Sequence, residues 1–412
     1  MLLHLLAFTG VTTAQFFDTT GGFRPFGPGY NHGAYPQDFN VVGPALEAVH
    51  DSQSAPTGLA VDTALNLYLT YPRNFGQTPN NVVICTDFNN EKPWPSAEIQ
   101  NCTTGQDPTT CFLNVQNVLW IVDSGIPYYD AVAGMNQAIY GGAKIMSFNQ
   151  TTSELLRTYT VPQALLAHGT NINDLRINNT LGTNGYAFIT DESTNSSILA
   201  INLDDGSTVR RLFNTSVVRA DDKYVGSYDG NLIYGWNGTK KSFLSTGADG
   251  IALASGNFYY GVLASRRFYY VSQSLVVNTS VSDAEVLAAV QFPGQCASEQ
   301  AGFTADDRGR VYILASEQNA IYYVDTAYPV NETVNGVSGN STGLIPAEDY
   351  VVKTLVRNGM IQHADSAAIL DGYLYFCTNQ LELGPSRQYN NTDNRKGPFR
   401  SFRVWIGRGP AV

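Results

Sequence analysis

Residues 248–265 have the sequence ADGIALASGNFYYGVLAS, and this stretch decides the fold. A segment that contains Ala and Gly, Ala248-Asp-Gly-Ile-Ala-Leu, is followed after a Ser-Gly-Asn turn by the aromatic segment Phe258-Tyr-Tyr-Gly-Val. Aromatic and β-branched residues favour strands, whereas Gly and Asn favour turns. The stretch therefore predicts two consecutive strands that are joined by a tight turn.

This two-strand pattern occurs six times along the chain. The first strands begin near Thr57, Leu113, Ile172, Ala248, Gln300 and Asp365, and the second strands begin near Leu65, Val118, Tyr186, Phe258, Val311 and Tyr373. The spacing of about 50 to 75 residues is typical of four-stranded sheets repeated around an axis. Small residues in the first strand suit the crowded axis, and aromatic residues in the second fill the space between sheets. The sequence therefore predicts an all-β fold, a six-bladed β-propeller.

Two other all-β folds explain the repeat less well. A pair of β-sandwiches does not require six copies of one pattern, and β-helices repeat over far shorter periods. We expect outer strands at Ile198-Leu-Ala-Ile-Asn and Ala320-Ile-Tyr-Tyr-Val-Asp, and one or two helical turns within residues 283–290. The last strand, Phe402-Arg-Val-Trp-Ile, should close the ring by pairing with a segment near the N-terminus.

The N-terminal residues have the features of a secretory signal peptide. An apolar run from Leu2 to Thr9 is followed by small residues that end at Ala14. The run is too short to span a bilayer, and no later segment is long enough. We therefore predict a signal peptide at residues 1–14, a single propeller domain at residues 15–412, and a secreted, extracellular protein. The alternative for the first residues is a buried strand.

Ten N-x-Ser/Thr sequons are spread over the chain and support secretion. They lie at Asn101, Asn149, Asn178, Asn195, Asn214, Asn237, Asn278, Asn331, Asn340 and Asn390. Their number and their turn-like surroundings favour N-glycosylation in a eukaryotic secretory route.

Five cysteines indicate disulfides in an oxidising compartment, and their odd number leaves at least one free thiol. Cys102 and Cys111 lie nine residues apart in a polar loop and are the expected pair. A bond between Cys296 and Cys377 is a further option. The spacing of the cysteines does not match a zinc site.

The net charge of −11 argues against a nucleic-acid partner, because the surface offers no excess of positive charge for phosphates. The same excess of negative charge gives no basic patch for an anionic membrane. We therefore expect a monomer that binds a small molecule and neither of these partners. The chain contains no GxSxG elbow, P-loop, HExxH or dinucleotide-binding fingerprint.

Several motifs, in this order along the chain, resemble the major royal jelly protein/Yellow family. They are Pro56-Thr-Gly-Leu-Ala-Val with Leu67-Tyr-Leu-Thr-Tyr-Pro-Arg73, Val118-Leu-Trp-Ile-Val-Asp-Ser-Gly125, Asn173-Asp174 with Tyr186-Ala-Phe-Ile-Thr-Asp191, and Asp249-Gly-Ile-Ala-Leu with Phe258-Tyr-Tyr. The resemblance implies a secreted, glycosylated six-bladed propeller, and the density of sequons indicates a fungal member. The family includes insect pigmentation proteins, some described as dopachrome-converting enzymes, and salivary proteins that bind biogenic amines in the central cavity.

In a propeller, the start of each inner strand and the end of the following strand lie on the same face around the axis. This geometry predicts a ring formed by Arg73, Asp123, Asn173, Asp174, Asp191, Glu192, Asp249, Ser265, Arg266, Glu299, Gln300, Glu317, His363, Asp365, Asn379 and Gln380. Ligand sites favour a mouth at which several loops bring polar groups together. Asn and Asp at such positions also serve simply as turn formers.

Two kinds of ligand chemistry fit this ring without a metal. In a binding pocket, Asp174 and Asp249 would pair with an amine, and Tyr or Phe rings would stack on the ligand. In an isomerase or tautomerase, His363 would move a proton with Asp365 beside it.

A metal-dependent lactonase or other hydrolase is the alternative enzyme. Asn173 and Asp249 would hold a Ca²⁺-like divalent cation through oxygen atoms. These two positions resemble part of the ligand set of gluconolactonase-type propellers, in which an acidic first-blade ligand stands where this chain has Thr57-Gly58. A propeller that serves only in interactions or in a matrix is the non-enzymatic alternative.

The favoured interpretation is a secreted glycoprotein that binds or isomerises a small aromatic or polyketide-like compound at the propeller mouth, in pigment or secondary metabolism. An isomerase or tautomerase is the expected class if the protein is an enzyme. The catalytic candidates are His363, Asp365 and Asp174, and the ligand-binding candidates are Arg73, Asn173, Asp249, Glu299, Gln300 and Asn379. This interpretation requires no cofactor and assigns no metal ligand.

Overall fold

The computed structural model describes residues 41–73, 78–103, 105–117, 120–127, 129–130, 134–135, 137–328, 333–334, 337–338 and 343–411. These residues form six four-stranded antiparallel sheets and four two-stranded hairpins. The innermost strands of successive sheets contact one another around a central axis. The prediction of an all-β, six-bladed β-propeller is therefore confirmed.

In the first three blades, the strands follow chain order from the axis outward. Blade 1 contains Gly58–Val61, Leu67–Thr70, Val82–Cys85 and Glu91–Pro93. Blade 2 contains Val115–Asn117, Ile121–Ser124, Ala143–Phe148 and Leu155–Thr160. Blade 3 contains Ile172–Asn178, Tyr186–Asp191, Ser197–Asn202 and Thr208–Arg211.

Blades 4 and 5 have the same order, whereas blade 6 takes its outermost strand from the N-terminal part of the chain. Blade 4 contains Ala248–Ala254, Asn257–Val262, Arg267–Ser272 and Gln291–Gln295. Blade 5 contains Gln300–Ala305, Arg310–Ala315, Ala320–Asp325 and Lys353–Arg357. Blade 6 contains Ala364–Leu370, Tyr373–Thr378, Phe399–Trp405 and Glu47–Ser52.

The ring closes within blade 6, as the sequence predicts. Glu47–Ser52 pairs antiparallel with Phe399–Trp405. The closure also carries a bidentate ion pair, in which Arg400 donates to both carboxylate oxygens of Asp51 at 2.6 Å. Bidentate pairs of this geometry are stronger than single contacts. The N-terminal and C-terminal strands of the propeller are thus held together by a strand pair and by an ion pair.

The second strands fill the spaces between blades with large side chains. Between blades 3 and 4, Phe188 packs against Phe258 with ring centroids 5.7 Å apart. Between blades 5 and 6, Tyr312 and Phe376 belong to one buried cluster. Burial of aromatic rings contributes most of the packing energy of such interfaces. This arrangement confirms the role that the sequence assigns to the aromatic second strands.

Short helices and hairpins occupy the connections between strands. In the described part of the chain, the α-helices are Gln273–Val277 and Asp283–Ala289, and the second of them confirms the helical turns expected within residues 283–290. The 3₁₀ turns are Gln163–Leu165, Ser316–Gln318, Ala347–Asp349, Leu381–Leu383, Pro385–Arg387 and Tyr389–Asn391. The hairpins pair Tyr129–Asp130 with Gly134–Met135, Gly226–Tyr228 with Asn231–Ile233, Gly235–Asn237 with Lys240–Ser242, and Thr333–Val334 with Val337–Ser338.

The cysteines confirm one predicted disulfide. Cys102 and Cys111 are bonded in the loop between blades 1 and 2. Cys296 and Cys377 are both buried and free, so the second pairing considered from the sequence does not form. Cys85 is the third free thiol.

Some sequence predictions concern residues outside the described part of the chain. The signal peptide at residues 1–14 and the sequons at Asn331 and Asn340 belong to this group. Within the described part, no helix is both long enough and apolar enough to cross a membrane.

The inner strands approach each other so closely that glycine is required at two positions. A Cβ atom on Gly302 would lie 1.8 Å from the carbonyl oxygen of Asp365, and one on Gly250 would lie 2.6 Å from the Cα atom of Gly302. Both neighbours are backbone atoms, so a rotamer change of a side chain cannot relieve the overlap.

We therefore expect Gly302→Ala to lower the free energy of unfolding by about 3 kcal/mol, as overpacking of a rigid core does. Gly359→Ala is the matched control, because no atom lies within 4 Å of its added Cβ. Chemical denaturation of the two variants measures the difference. Equal stabilities would contradict the close approach at the axis.

Candidate functional site

A register shift near the start of the inner strand recurs in blades 3, 4, 5 and 6. The shifts fall between Ile172 and Leu175, Ala248 and Ile251, Gln300 and Phe303, and Ala364 and Ala367. A β-bulge leaves residues unpaired and changes the direction of their side chains. Each of these four strands therefore has two residues between its paired positions that are available to the axis.

A cavity of about 10 Å³ lies on the axis among the unpaired residues. It is lined by Thr57, Gln116, Asn173, Asp174, Asp249, Ala301, Asp365 and Ser366, so every blade contributes to it. A volume of about 10 to 15 Å³ holds a single water molecule or an ion of similar size. We call this space the axial cavity. It brings together four predicted site residues, namely Asn173, Asp174, Asp249 and Asp365.

Three carboxylates dominate the polar contacts of the axial cavity. The side-chain amide of Asn173 donates to Asp249 Oδ1. The side-chain amide of Asn379 donates to Asp365 Oδ2 at 2.6 Å. Asp174 Oδ2 accepts from the backbone N–H of Ile251 at 3.0 Å, across the junction of blades 3 and 4. Amide donors from three blades thus orient the acidic side chains.

Crowding of carboxylates in a buried place raises their pKa values. Burial raises the pKa of Asp249 well above its usual range, and Glu192, Asp365 and Asp174 add repulsion. Burial, Asp365 and Asp191 raise the pKa of Glu192 to about 8. Burial raises the pKa of Asp365 to about 7, although His363 opposes this. At neutral pH these carboxyl groups share protons unless a cation neutralises them.

A buried imidazole borders the acidic group. His363 Nδ1 lies 2.7 Å from Glu382 Oε1, and Nε2 lies 3.9 Å from Asp365 Oδ2 with no hydrogen-bond partner among the described residues. Burial lowers the pKa of His363, but Glu382 outweighs this and leaves the pKa above its ordinary value. Glu382 therefore orients the ring, and the free nitrogen faces the carboxylate.

Glu299 belongs to the same buried group. Its Oε1 accepts from the Arg387 guanidinium at 2.5 Å, and both side chains are almost fully buried. Ligand atoms of Glu299, His363 and Glu382 lie within 4.8 Å of one another. The adjacent guanidinium makes this trio a poor place for a metal ion, because it already supplies the positive charge.

Two insertions cover this face of the propeller. One contains the hairpins Gly226–Tyr228/Asn231–Ile233 and Gly235–Asn237/Lys240–Ser242, and the other contains the 3₁₀ turns of residues 381–391. Trp236 packs edge-on against Tyr389 with centroids 5.1 Å apart, and Asn391 Oδ1 accepts from the N–H of Gly238 at 2.5 Å. We call the two insertions together the lid. Beneath it the Asp365 side chain keeps 17% of its surface exposed.

Arg73 and Gln300 are two predicted ligand-binding residues that lie apart from the axial cavity. The Arg73 guanidinium donates to the carbonyl oxygens of Leu113 at 2.7 Å and Gln100 at 2.9 Å. The Gln300 side-chain amide donates to the carbonyl oxygen of Arg267 at 2.8 Å. Both side chains tie neighbouring segments of backbone together, and the structure does not bring them to the site.

Glu382 and Arg387 were not identified from the sequence. They lie in the lid segment between the second and third strands of blade 6, and no other blade repeats that segment. Gln116 was also missed, although it takes the blade 2 position that corresponds to Asn173 in blade 3. An alignment of the six copies at that position would have found Gln116.

Most described sequons lie at the surface. Asn101, Asn214, Asn237, Asn278 and Asn390 are exposed, whereas Asn149, Asn178 and Asn195 are partly buried. Glycosylation at these positions stays a prediction.

The fold and the site together define a six-bladed propeller with an acidic axial cavity under a lid. The model of the family described as "Major royal jelly protein" matches residues 113–396, which is most of the chain. The protein belongs to the major royal jelly protein family, as the sequence motifs indicate. A comparison with curated protein sequences found no match.

Solved structures with some similarity to the chain have low sequence identity. A luciferin-regenerating enzyme has 10% identity and a TM-score of 0.49, with 90% of this chain and 98% of that chain covered. A gluconolactonase from Xanthomonas campestris has 10% identity and a TM-score of 0.45, with 87% and 89% covered. Virginiamycin B lyase from Staphylococcus aureus has 12% identity and a TM-score of 0.40, with 88% and 99% covered. These similarities are too remote to assign an activity.

The raised pKa values predict how stability depends on pH. Glu192 titrates near 4.5 in the unfolded chain and at about 8 in the folded protein. Between these values the folded state binds more protons, so stability falls as the pH rises, by as much as about 1.4 kcal/mol per pH unit for one group. We expect Glu192→Gln to flatten this fall between pH 6 and pH 8 in chelated protein.

Urea denaturation at several pH values measures the slope. Glu98→Gln is the control, because Glu98 is exposed and hydrogen bonds within its own turn lower its pKa, so it is ionised in both states over this range. A Glu192→Gln variant with an unchanged slope would contradict the protonated cluster.

Proposed function

We propose that this protein is an isomerase or tautomerase that moves a proton within a small aromatic or polyketide-like compound under the lid. The observation that carries the proposal is the pair of crowded carboxyl groups, Asp365 and Glu192, with pKa values of about 7 and 8. A general base and a general acid work best when their pKa values lie near the working pH. Family membership supports ligand chemistry at the propeller mouth.

The two carboxyl groups suit opposite halves of a proton transfer. Near neutral pH, Asp365 is partly ionised and can take a proton from a carbon atom next to a carbonyl group. Glu192 is mostly protonated and can give a proton to the carbonyl oxygen. One proton leaves carbon and one reaches oxygen, so the substrate is neither oxidised nor reduced. The two carboxyl groups then exchange a proton to begin the next cycle.

His363 is a positioning residue in this proposal. It acts through Asp365 because its Nε2 faces that carboxylate and its own surface is fully buried. The lid adds an aromatic side chain, since Tyr228 is buried and its hydroxyl has no hydrogen-bond partner among the described residues. A flat, conjugated substrate would find both a ring contact and a hydrogen-bond donor there.

Dopachrome is a suitable first substrate, because the family resemblance includes dopachrome-converting proteins. We expect Asp365→Asn to lower kcat/KM by at least about 100-fold, the usual effect of removing a general base. Since the base must be ionised, kcat/KM of the unaltered protein should rise through a pKa of about 7. The loss of the visible absorbance of dopachrome measures the rate.

His363→Asn provides the readout of positioning. His363 lowers the pKa of Asp365, so its removal should move the rising limb of the pH profile to higher pH. Asp205→Asn is the control, because Asp205 is exposed on the turn between the two outer strands of blade 3, away from the axis. Full turnover by Asp365→Asn at every pH would overturn the proposed role of this carboxylate.

A divalent cation in the axial cavity is the second candidate, and the size of that cavity favours it. Asp174, Asp249, Asp365 and Asn173 offer oxygen atoms around a space of about 10 Å³, which suits one hard cation such as Ca²⁺. The donor set is chemically suitable, because Ca²⁺ prefers carboxylate and amide oxygens and would neutralise the buried carboxylates. A bound cation would polarise a carbonyl or lactone oxygen, which is the chemistry of a metal-dependent hydrolase.

Chelation and titration with Ca²⁺ separate the two candidates. If the cation binds, added CaCl₂ should raise the Tm of chelated protein at pH 8, because a ligand at 100 times its Kd stabilises the folded state by about 2.7 kcal/mol. Asp249→Asn should abolish the rise, and Asp205→Asn, an exposed turn residue, should retain it. If the Tm does not change on addition of Ca²⁺ and turnover is unchanged after chelation, the bound cation is excluded.

We also infer a secreted, glycosylated monomer that binds a small molecule and neither nucleic acid nor membrane. The support for secretion is the Cys102–Cys111 disulfide together with the exposed sequons. The acidic net charge of −11 supports the absence of a nucleic-acid partner.

A further inference from the structure

A wide cavity opens on the face opposite the lid. It has a volume of about 1150 Å³ and lies where the inner strands end. In blade 3, Asn173 and Asp174 stand at the start of the inner strand, whereas Ile177 and Asn178 stand at its end. Because all inner strands run in the same direction along the axis, this space, which we call the lower funnel, is separate from the axial cavity.

The walls of the lower funnel combine aliphatic side chains with polar groups. They include Leu59, Leu175, Ile177, Leu253, Ala305 and Ile369, which come from five of the six blades. Leu253 and Ile177 line this space and are partly exposed. A volume above about 300 Å³ whose walls combine apolar side chains with a few polar groups is typical of a small-molecule site.

One cation forms the floor of the lower funnel. Arg176 extends from blade 3 across the axis, and its guanidinium donates to the carbonyl oxygen of Phe303 in blade 5 at 2.5 Å and to that of Leu175 at 2.7 Å. The guanidinium also lies 3.3 Å from Asp174 Oδ1, and 22% of the Arg176 side chain remains exposed. A guanidinium has five N–H donors, so donors remain for a ligand.

The other charges of the lower funnel lie at its rim. Asp306 is buried and is paired with Arg408 at 3.1 Å, and its Oδ2 also accepts from the Tyr312 hydroxyl. Asp307 and Arg308 are exposed on the turn that follows the inner strand of blade 5. Arg176 is therefore the charge that a molecule at the bottom of the funnel would meet.

We propose that the lower funnel binds an amphiphilic organic anion, with its carboxylate or sulfonate on Arg176 and its apolar body along the aliphatic walls. Guanidinium groups bind carboxylates in a planar, two-point geometry, and a partly dry setting strengthens such hydrogen bonds. The aliphatic walls bury the chain or ring that follows the anionic group. Neither the family match nor the site under the lid assigns this ligand or this face.

Decanoate and decanol form a matched pair of probes, because they share an apolar chain and differ in the charged group. We expect isothermal titration calorimetry with the full protein to show that decanoate binds at least about tenfold more tightly than decanol. The difference corresponds to one hydrogen bond to a charged group. Equal affinities for the two compounds would overturn the assignment of Arg176 as the anion receptor.

Two substitutions locate the binding within the funnel. Arg176→Met keeps much of the side-chain length and should weaken decanoate by at least about tenfold while leaving decanol unchanged. Leu253→Trp should weaken both compounds, because the larger ring occupies the funnel without touching the ion pair. This second variant keeps the test decisive if Arg176→Met does not fold.

Leu156→Trp is the control for unspecific apolar binding. Leu156 is 59% exposed on the outermost strand of blade 2, far from the axis. It should bind both probes like the unaltered protein, and a Leu253→Trp variant that does the same would refute the site. Dopachrome turnover without added decanoate should stay normal in Leu253→Trp, so failure of the funnel proposal is distinguishable from failure of the isomerase proposal.

Discussion

The inner strands of the six blades converge on one axis, and the distance between their backbones governs the rest of the molecule. At Gly302 the backbone of blade 5 lies against the carbonyl oxygen of Asp365 in blade 6, and at Gly250 the backbone of blade 4 lies against blade 5. A regular strand would direct side chains into this contact between backbones. The recurring bulges change the direction of the side chains there, because they leave two unpaired residues in each strand where the strands are closest. The axial cavity is the space that remains between these residues.

A space of this size imposes a chemical condition on its lining. Most residues that line it have short side chains, and in three blades they are acidic, so Asp174, Asp249 and Asp365 lie around a volume for about one ion. Their full ionisation is unfavourable, since mutual repulsion and burial both favour the neutral forms. Arg176 on one side and His363 on the other compensate part of the charge. The remainder must be carried by protons or by a cation.

The repeat in the sequence predicted the fold and a large part of the site for the same physical reason. Asn173, Asp249 and Asp365 occupy one equivalent position in three copies, so six-fold geometry brings them together once the copies are recognised. Gln300 precedes the bulge of blade 5 and still pairs with Ala315, so its side chain turns to the neighbouring blade and away from the axis. The sequence shows that a residue stands at a strand start, but it does not show on which side of a bulge it falls.

The sequence repeat could not predict the residues of the lid, for a different reason. Glu382 and Arg387 belong to a segment that blade 6 alone contains, and their contacts with His363 and Glu299 depend on how irregular backbone folds over the mouth. The periodicity of the sequence does not predict the course of an irregular segment of backbone. The same limit applies to Arg176, which was not identified from the sequence. Its reach across the axis to blade 5 results from the length of the side chain and the width of the channel.

The ion pair of Arg176 and Asp174 connects the two faces of the propeller electrostatically, because each of its residues lies at a different cavity. Asp174 lines the axial cavity, and Arg176 forms the floor of the lower funnel. An anion that binds the remaining donors of Arg176 from below adds a second negative charge beside the guanidinium, which leaves Asp174 less neutralised. Asp174 in turn contributes to the raised pKa values of Asp249 and Asp365. Occupation of the lower funnel would therefore favour protons or a cation in the axial cavity, and by linkage a cation there would strengthen anion binding below. The two openings of the propeller are thus separate in space but joined by one pair of charges.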